Sequence, residues 1–275
     1  MFIPTRPIWL RNSYNIPALA VIPPMSSSTL TNYLLHLADN ALILGHRNSE
    51  WCGHGPVLEQ DIALTNISLD LIGQARYLLQ YTAGLKGEGA TEDSLAYLRD
   101  AREFKNCLML ELPNGDWAET LLRQYFFSQF QILQYRGLQF SADPQLAAIA
   151  EKAIKETAYH LRWSSEWVIR LGDGTTESHQ RMQKAIDHLW PYTGELFLPA
   201  AYELESVLMK QGVDPASLKD GWYESVQAIF AEATLPVPPL GWSQSGGKEG
   251  IHTEHMGFIL AEMQYMQRAY PGNEW

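Results

Sequence analysis

The sequence predicts an all-α protein, and three observations carry that reading. Apolar residues recur three and four apart through most of the chain, the period of a helix that buries one face. Residues that start and stop helices stand between those stretches, among them Pro56, Asp116, Asp143, Pro144 and Pro271. No alternating apolar–polar run is long enough to build a sheet. Long helices joined by short turns pack as antiparallel neighbours, so the expected architecture is a helical bundle.

The first helix is expected over about 30–46, with Leu34, Leu37, Ala38, Ala41 and Leu44 on one face. "GHRNSEWCGHGP" interrupts it, and Pro56 opens a second helix over about 57–84. Asp116 with Glu119 three residues on marks the start of a third, about 117–140, rich in Tyr125, Phe126, Phe127, Phe130 and Tyr135. Asp143 as cap and Pro144 at the first position start a fourth that runs to Gly172. A fifth, from about Glu177, is expected to break before Pro191 and resume towards Lys210. "VDPAS" starts a sixth over about 215–232, and the stretch "LPVPPLGWSQSGGKEG" is the clearest loop. A last helix is expected over about 252–268, ended by Pro271.

Bulk properties narrow the function. The chain has 275 residues, long enough for a large core. Its formal charge of −11 opposes binding to phosphate backbones, so nucleic acid is not an expected partner. Cys52 and Cys107 make neither a disulfide framework nor a zinc spacing, which fits a reducing cytoplasm. No apolar run approaches the roughly 20 residues of a membrane span. Residues 1–28 read as a poorly ordered leader, broken by Pro17, Pro23 and Pro24, and Met25 followed by serines reads as a natural start. Residues 29–275 are then expected to form one domain.

The second and fourth helices carry the chemistry. Leu64, Ile67, Leu71, Gln74 and Leu78 form one stripe. Leu146, Ala150, Ala153, Thr157, His160, Ser164 and Val168 form another, and the two are expected to face a shared core. Helical bundles that hold two irons supply a Glu from each of two helices and Glu-x-x-His from each of two others. The second helix offers no such motif. The fourth offers Glu156 and His160, but Glu156 falls beside Lys152 and Lys155, and the inward position before His160 is Thr157. His160 therefore reads as a hydrogen-bonded core or interface histidine, with an unusual metal site around it as the alternative.

Long stretches of the chain resemble a known family. "EWCGHGPVLEQDIALTNISLDLIGQARYLLQY", "NGDWAETLLRQYF", "DPQLAAIAEKAIKETAYHLRW" and "GGKEGIHTEHMGFILAEMQYMQRAYPGNEW" are similar to the C subunits of bacterial phenylacetyl-CoA epoxidases, over about residues 29–275. The resemblance implies a ferritin-like bundle with additional C-terminal helices, acting in the phenylacetate catabolic pathway. It implies a mono-oxygenase complex in which a homologous A subunit holds the di-iron centre and pairs with the C-type chain. A small B subunit links assemblies, and a reductase holding FAD and an iron–sulfur cluster delivers electrons. The complex forms a ring 1,2-epoxide on phenylacetyl-CoA, which would lie near the A–C interface. Catalytic relatives carry Asp-Glu-x-Gly-His on the second helix, where this chain has Asp70, Leu71, Ile72, Gly73 and Gln74. They carry Lys-Glu-Glu-x-x-His on the fourth, where this chain has Lys155, Glu156, Thr157 and, three residues on, His160. Leu71, Gln74, Thr157 and His160 are thus degenerate di-iron positions, and the expectation is a structural subunit with no cofactor of its own.

Two loops merit separate reading. Gly246, Gly247 and Lys248, ahead of His252, suggest either a flexible entry to a helix or a contact to the partner chain or to coenzyme A phosphates. "SEWCGHG" reads as a packed turn around Trp51, with no base or oxyanion site to activate Cys52. Asp61 and Asp70 are as open to a role in salt bridges or caps as to one in chemistry. The alternatives to a structural subunit are a ferritin-like oxidase with its own metal site around His160, and an assembly module of an unrelated complex.

Overall fold

A computed structural model describes residues 27–239 and 241–273. Of the leader expected over 1–28, only its last two residues are described, and they already open the first helix. The described residues form ten α-helices, several 3-10 turns and no strand. Four long helices make the centre: α1 (Ser27–Ser49), α2 (Leu58–Lys86), α4 (Trp117–Leu138) and α5 (Pro144–Gly172). α1 packs on α2 as one hairpin and α4 on α5 as another. Between the hairpins runs a long connector, 87–116, that includes α3 (Glu92–Tyr97). Across the seam, Asp70 meets His160, Gln74 meets Glu156 and Tyr77 meets Lys152. Numbers that rise on α2 fall on α5, so the two helices are antiparallel. α2 and α4 therefore run the same way, and the connector is a crossover along the bundle.

Local signals explain where these helices begin. The Asp143 carboxylate accepts from Leu146 N at 2.9 Å and from the Tyr81 hydroxyl at 2.6 Å, while Pro144 takes the first position. Asp116 accepts from the amides of Ala118 and Glu119 at the start of α4. Asp61 accepts from Gly53 N and Gly55 N and so ties the α1–α2 turn to the first turn of α2. In that turn Trp51 is half-buried and donates to the Thr120 hydroxyl at 2.9 Å, and Cys52 is exposed.

α1 and α4 are buried on nearly all sides, because the later helices cover their outer faces. These are α6 (Thr176–Thr193), α7 (Ala201–Leu208), α8 (Lys219–Glu232) and α9 (Glu254–Met263), with α10 (Tyr265–Ala269) last. α6 and α8 pack on α4, and α7 and α9 on α1. The aromatics of α4 supply the joint. Phe126 lies 5.4 Å from Trp222 and 5.9 Å from Trp190, and the Trp222 indole donates to Phe126 O.

The expected break before Pro191 is displaced. Pro191 lies inside α6, whose last residue is Thr193, so the helix continues only briefly beyond the missing N–H. A 3-10 turn (Gly194–Phe197) then separates α6 from α7. The final helix is also shorter than expected and divided, because Gly246–Thr253 is fixed as a loop by contacts described below.

Candidate functional site

The positions that suggested a vanished metal site come together in the bundle. Leu71, Thr157 and His160 are fully buried and Gln74 almost so. Gln74 donates from Nε2 to the Glu156 carboxylate at 2.9 Å. Its Oε1 accepts from Gln131 Nε2 at 3.1 Å and from the Tyr135 hydroxyl at 3.2 Å. Gln131 in turn accepts from the Thr157 hydroxyl at 3.4 Å. The interior between α2, α4 and α5 is thus a circuit of neutral amides and hydroxyls in which each donor finds an acceptor. Burial pushes the Tyr135 phenol up, so it stays a neutral donor.

His160 stands one turn from that circuit. Its Nε2 donates to the Asp70 carboxylate at 3.0 Å, its Nδ1 has no partner, and its backbone oxygen accepts from Ser164 Oγ at 2.7 Å. Asp70 lies at the rim, partly exposed. Glu156 is not on a purely polar face, as its lysine neighbours suggested. It is half-buried and closes the circuit by accepting from Gln74. The reason is that Gln74 reaches across the α2–α5 seam, so a residue at the edge of one helix joins the interior of the other.

These residues do not suit a pair of irons. Such a pair needs several inward carboxylates to balance its charge, with an imidazole on each metal. The inward positions here are Leu71, Gln74, Gln131 and Thr157, all uncharged, and the two nearest carboxylates are engaged by Gln74 and His160. No cluster of three or more His, Cys, Asp or Glu able to hold a metal occurs among the described residues. Gln131 escaped the sequence reading and Tyr135 was read only as one of the helix aromatics, because α4 carries no ligand motif. The signal was there in the polar Gln124, Ser128 and Gln131 at helical spacing among aromatics.

A second polar cluster lies where the connector, α1, α7 and the C-terminal loop meet. The amides of Gly246 and Gly247 each donate to Glu195 Oε1 at 2.8 Å, and Leu108 N donates to Oε2 at 2.6 Å. The glycine loop thus does cradle an anion, and that anion is the chain's own. Burial pushes the Glu195 carboxyl up despite these three donors. Lys248 is buried, with its ammonium 2.9 Å from Glu203 and 3.0 Å from Leu198 O. His252 has Nδ1 at 2.7 Å from Glu111 and Nε2 at 3.0 Å from Phe104 O. With acceptors on both sides its ring holds two protons, and although burial opposes the charge, Glu111 outweighs it and raises the pKa. In this arrangement Gly246, Gly247, Lys248 and His252 are satisfied internally and are not presented to an outside phosphate.

Close backbone approaches require glycine in this loop. A Cβ on Gly247 would lie 2.1 Å from Asn106 O, and Gly250 combines φ +76° with Arg102 O at 2.2 Å from any Cβ. Beneath the loop, His36 Nδ1 donates to Lys105 O at 2.7 Å and its Nε2 accepts from Asn40 at 3.2 Å, so its ring is neutral. Burial, the largest influence, lowers its pKa. Asp39 pairs with Arg99 in the same region.

Residues 14–275 match the family described as Phenylacetic acid catabolic protein, whose short name joins the A-type and C-type chains (PaaA_PaaC). The chain belongs to this family. It is 53% identical, over 248 residues, to the C subunit of the 1,2-phenylacetyl-CoA epoxidase of Escherichia coli (strain K12). That match spans 90% of this chain and 99% of the relative. The family match begins upstream of residue 29, where the likeness was expected to start. Among the described residues, no helix is long and apolar enough to cross a membrane.

Proposed function

We propose that this chain is the non-catalytic C subunit of a multicomponent phenylacetyl-CoA 1,2-epoxidase in aerobic phenylacetate catabolism. One observation carries the reading. The inward positions of α2, α4 and α5, where a di-iron bundle places its ligands, are occupied by the uncharged Leu71, Gln74, Gln131 and Thr157, the last three linked by hydrogen bonds that end on Glu156 at the edge. The similarity to the C-type chain of an epoxidase supplies the complex in which such a bundle works. Two hairpins joined by one long crossover support a ferritin-like core.

On this reading the chain holds the catalytic A subunit in its active form, and the A subunit supplies the di-iron centre. A small B subunit, with a flavin and iron–sulfur reductase, completes the system. Phenylacetyl-CoA binds near the A–C interface, and the assembly is cytoplasmic. Co-expression with the A subunit tests the proposal, followed by metal analysis of the complex and of each chain alone. The expected result is a stable complex whose iron follows the A subunit. Iron held by this chain alone would instead favour the oxidase reading.

A further inference from the structure

Much of the outer face of α2 is left uncovered by the described chain, although at its end Lys152 of α5 donates to the Tyr77 hydroxyl at 2.6 Å. Leu58, Ile62 and Leu69 are 72, 53 and 62% exposed, and Tyr77 is 43% exposed. Their spacing puts them on one row at helical period. Gly73 stands in that row, four residues from both Leu69 and Tyr77, and a Cβ there would meet nothing within 4 Å. Glycine is the poorest helix former after proline, and no contact inside the chain accounts for it in mid-helix. What it does provide is room for another backbone to come close.

Asp70 adds a charge to the row. His160 Nε2 holds its Oδ2 from inside, while Oδ1 has no partner among the described residues and the side chain is 36% exposed. The result is a carboxylate held at the α5 edge of the row, beside Leu69 and Gly73, with one oxygen not used inside the described chain. The complementary group is a cation, and the apolar rim would strengthen that pairing by excluding water.

These features select an occupant. From Leu58 to Tyr77 the row is about 29 Å long at the helical rise, which fits another long helix. The matched family joins A-type with C-type chains, so on the reading proposed above the partner is itself a related helical bundle. Related subunits commonly pair through equivalent faces about a twofold or near-twofold axis. A small residue at the crossing point, with bulky residues four to either side, suits such an antiparallel contact. We propose that the α2 row centred on Gly73 is the docking face for a long helix of the metal-carrying A subunit, which crosses α2 at Gly73 and brings an Arg or Lys to Asp70.

The test uses the full chain and the A subunit, with affinity measured for parent and variants, and with circular dichroism and melting of each variant alone. Gly73→Ala should raise the melting temperature of the isolated chain by about 2 °C, as a better helix former does. It should nevertheless weaken the complex. Gly73→Leu and Leu69→Asp, folded by the same criteria, should each weaken it about tenfold or more, as central contacts do. Asp70→Asn should weaken it and flatten its salt dependence. Affinity within about twofold of the parent for both Gly73→Leu and Leu69→Asp would overturn the proposal while leaving the proposed function intact. A homodimer that Gly73→Leu disrupts, beside an unaffected complex with the A subunit, would also overturn it. Absence of any complex with the parent chain would remove the proposed function and the docking face together.

Discussion

His160 shows how one residue keeps its identity and changes its work. Its Nε2 serves Asp70 and its Nδ1 has no partner, so the ring positions a rim carboxylate. His160→Ala should destabilise the chain by about 1–3 kcal/mol for the lost buried hydrogen bond, with an added cavity penalty. Phenylacetyl-CoA oxidation by the reconstituted complex, normalised to iron, should stay within a few-fold of the parent, since loss of a ligand or an acid–base group is what typically brings about 100-fold or more. A hundredfold loss at unchanged assembly would mean that His160 takes part in the chemistry. His252 makes a different prediction. Its pKa is raised, so the stability it contributes is complete below the ordinary value of 6.5 and is lost as pH rises through the raised value. His252→Gln should therefore lower stability more at about pH 6 than at about pH 9, measured by urea unfolding. A difference that grew with pH would contradict the charged ring.

At the scale of the helix, α5 depends on its entry. Asp143 caps Leu146 N and also anchors Tyr81 of α2, so one carboxylate starts one helix and fastens it to another. Asp143→Ala should cost about 1–2 kcal/mol in chemical denaturation, towards the upper end of the cap range because the Tyr81 contact is lost as well. An unchanged midpoint would show that the cap is dispensable. The facing stripes of α2 and α5 carry a second expectation. Leu71→Glu, Gln74→His and Thr157→Glu together install the charged motif that the resemblance implies for catalytic relatives, but they also break the circuit with Gln131 and Tyr135. Without metal, burying two carboxylates should destabilise the chain by several kcal/mol, read as a lower midpoint. Addition of iron would raise that midpoint only if the variant binds it.

At the scale of the whole molecule, stability should fall as the pH drops below 6.5. Burial lowers the pKa of both His36 and His46, so the unfolded chain takes up protons there that the folded one does not. His252 acts against this trend near the ordinary value of 6.5, where its unfolded form is still taking up its proton, and is flat only at lower pH, where both states are protonated. Glu195 acts in the opposite sense at more acid pH, because its raised pKa lets the folded state bind a proton first. Melting curves between about pH 7 and pH 5 test the sign, and a midpoint that rose on acidification would place charge on the buried histidines. The same ionic cluster fixes the molecule's architecture. Glu195, Glu203 and Glu111 hold the C-terminal loop through Gly246, Gly247, Lys248, His252 and Thr253, so the loop that leads into the last helices is fastened to the connector, to the turn after α6 and to α7 by polar contacts buried in the fold.

Periodicity and caps were enough to place the long helices, because both are local. The 3.6-residue stripe and the Asp143–Pro144 start depend only on neighbours in sequence, and α2, α4 and α5 lie close to where those signals put them. The family resemblance marked the degenerate motif, since Leu71, Gln74 and Thr157 can be set one by one against the pattern it implies for catalytic relatives. The rest depended on residues far apart in the chain. Short α3 lies in the crossover, whose path is set by what it packs against, and the break near Pro191 fell where the following turn meets the C-terminal loop. Gln131 became part of the site only when α4 lay against α2 and α5, and Glu156 joined it from across the seam. Lys248 reads as a free cation in sequence and is a buried ion-pair partner in space, because Glu203 stands 45 residues away along the chain and 2.9 Å away in the fold.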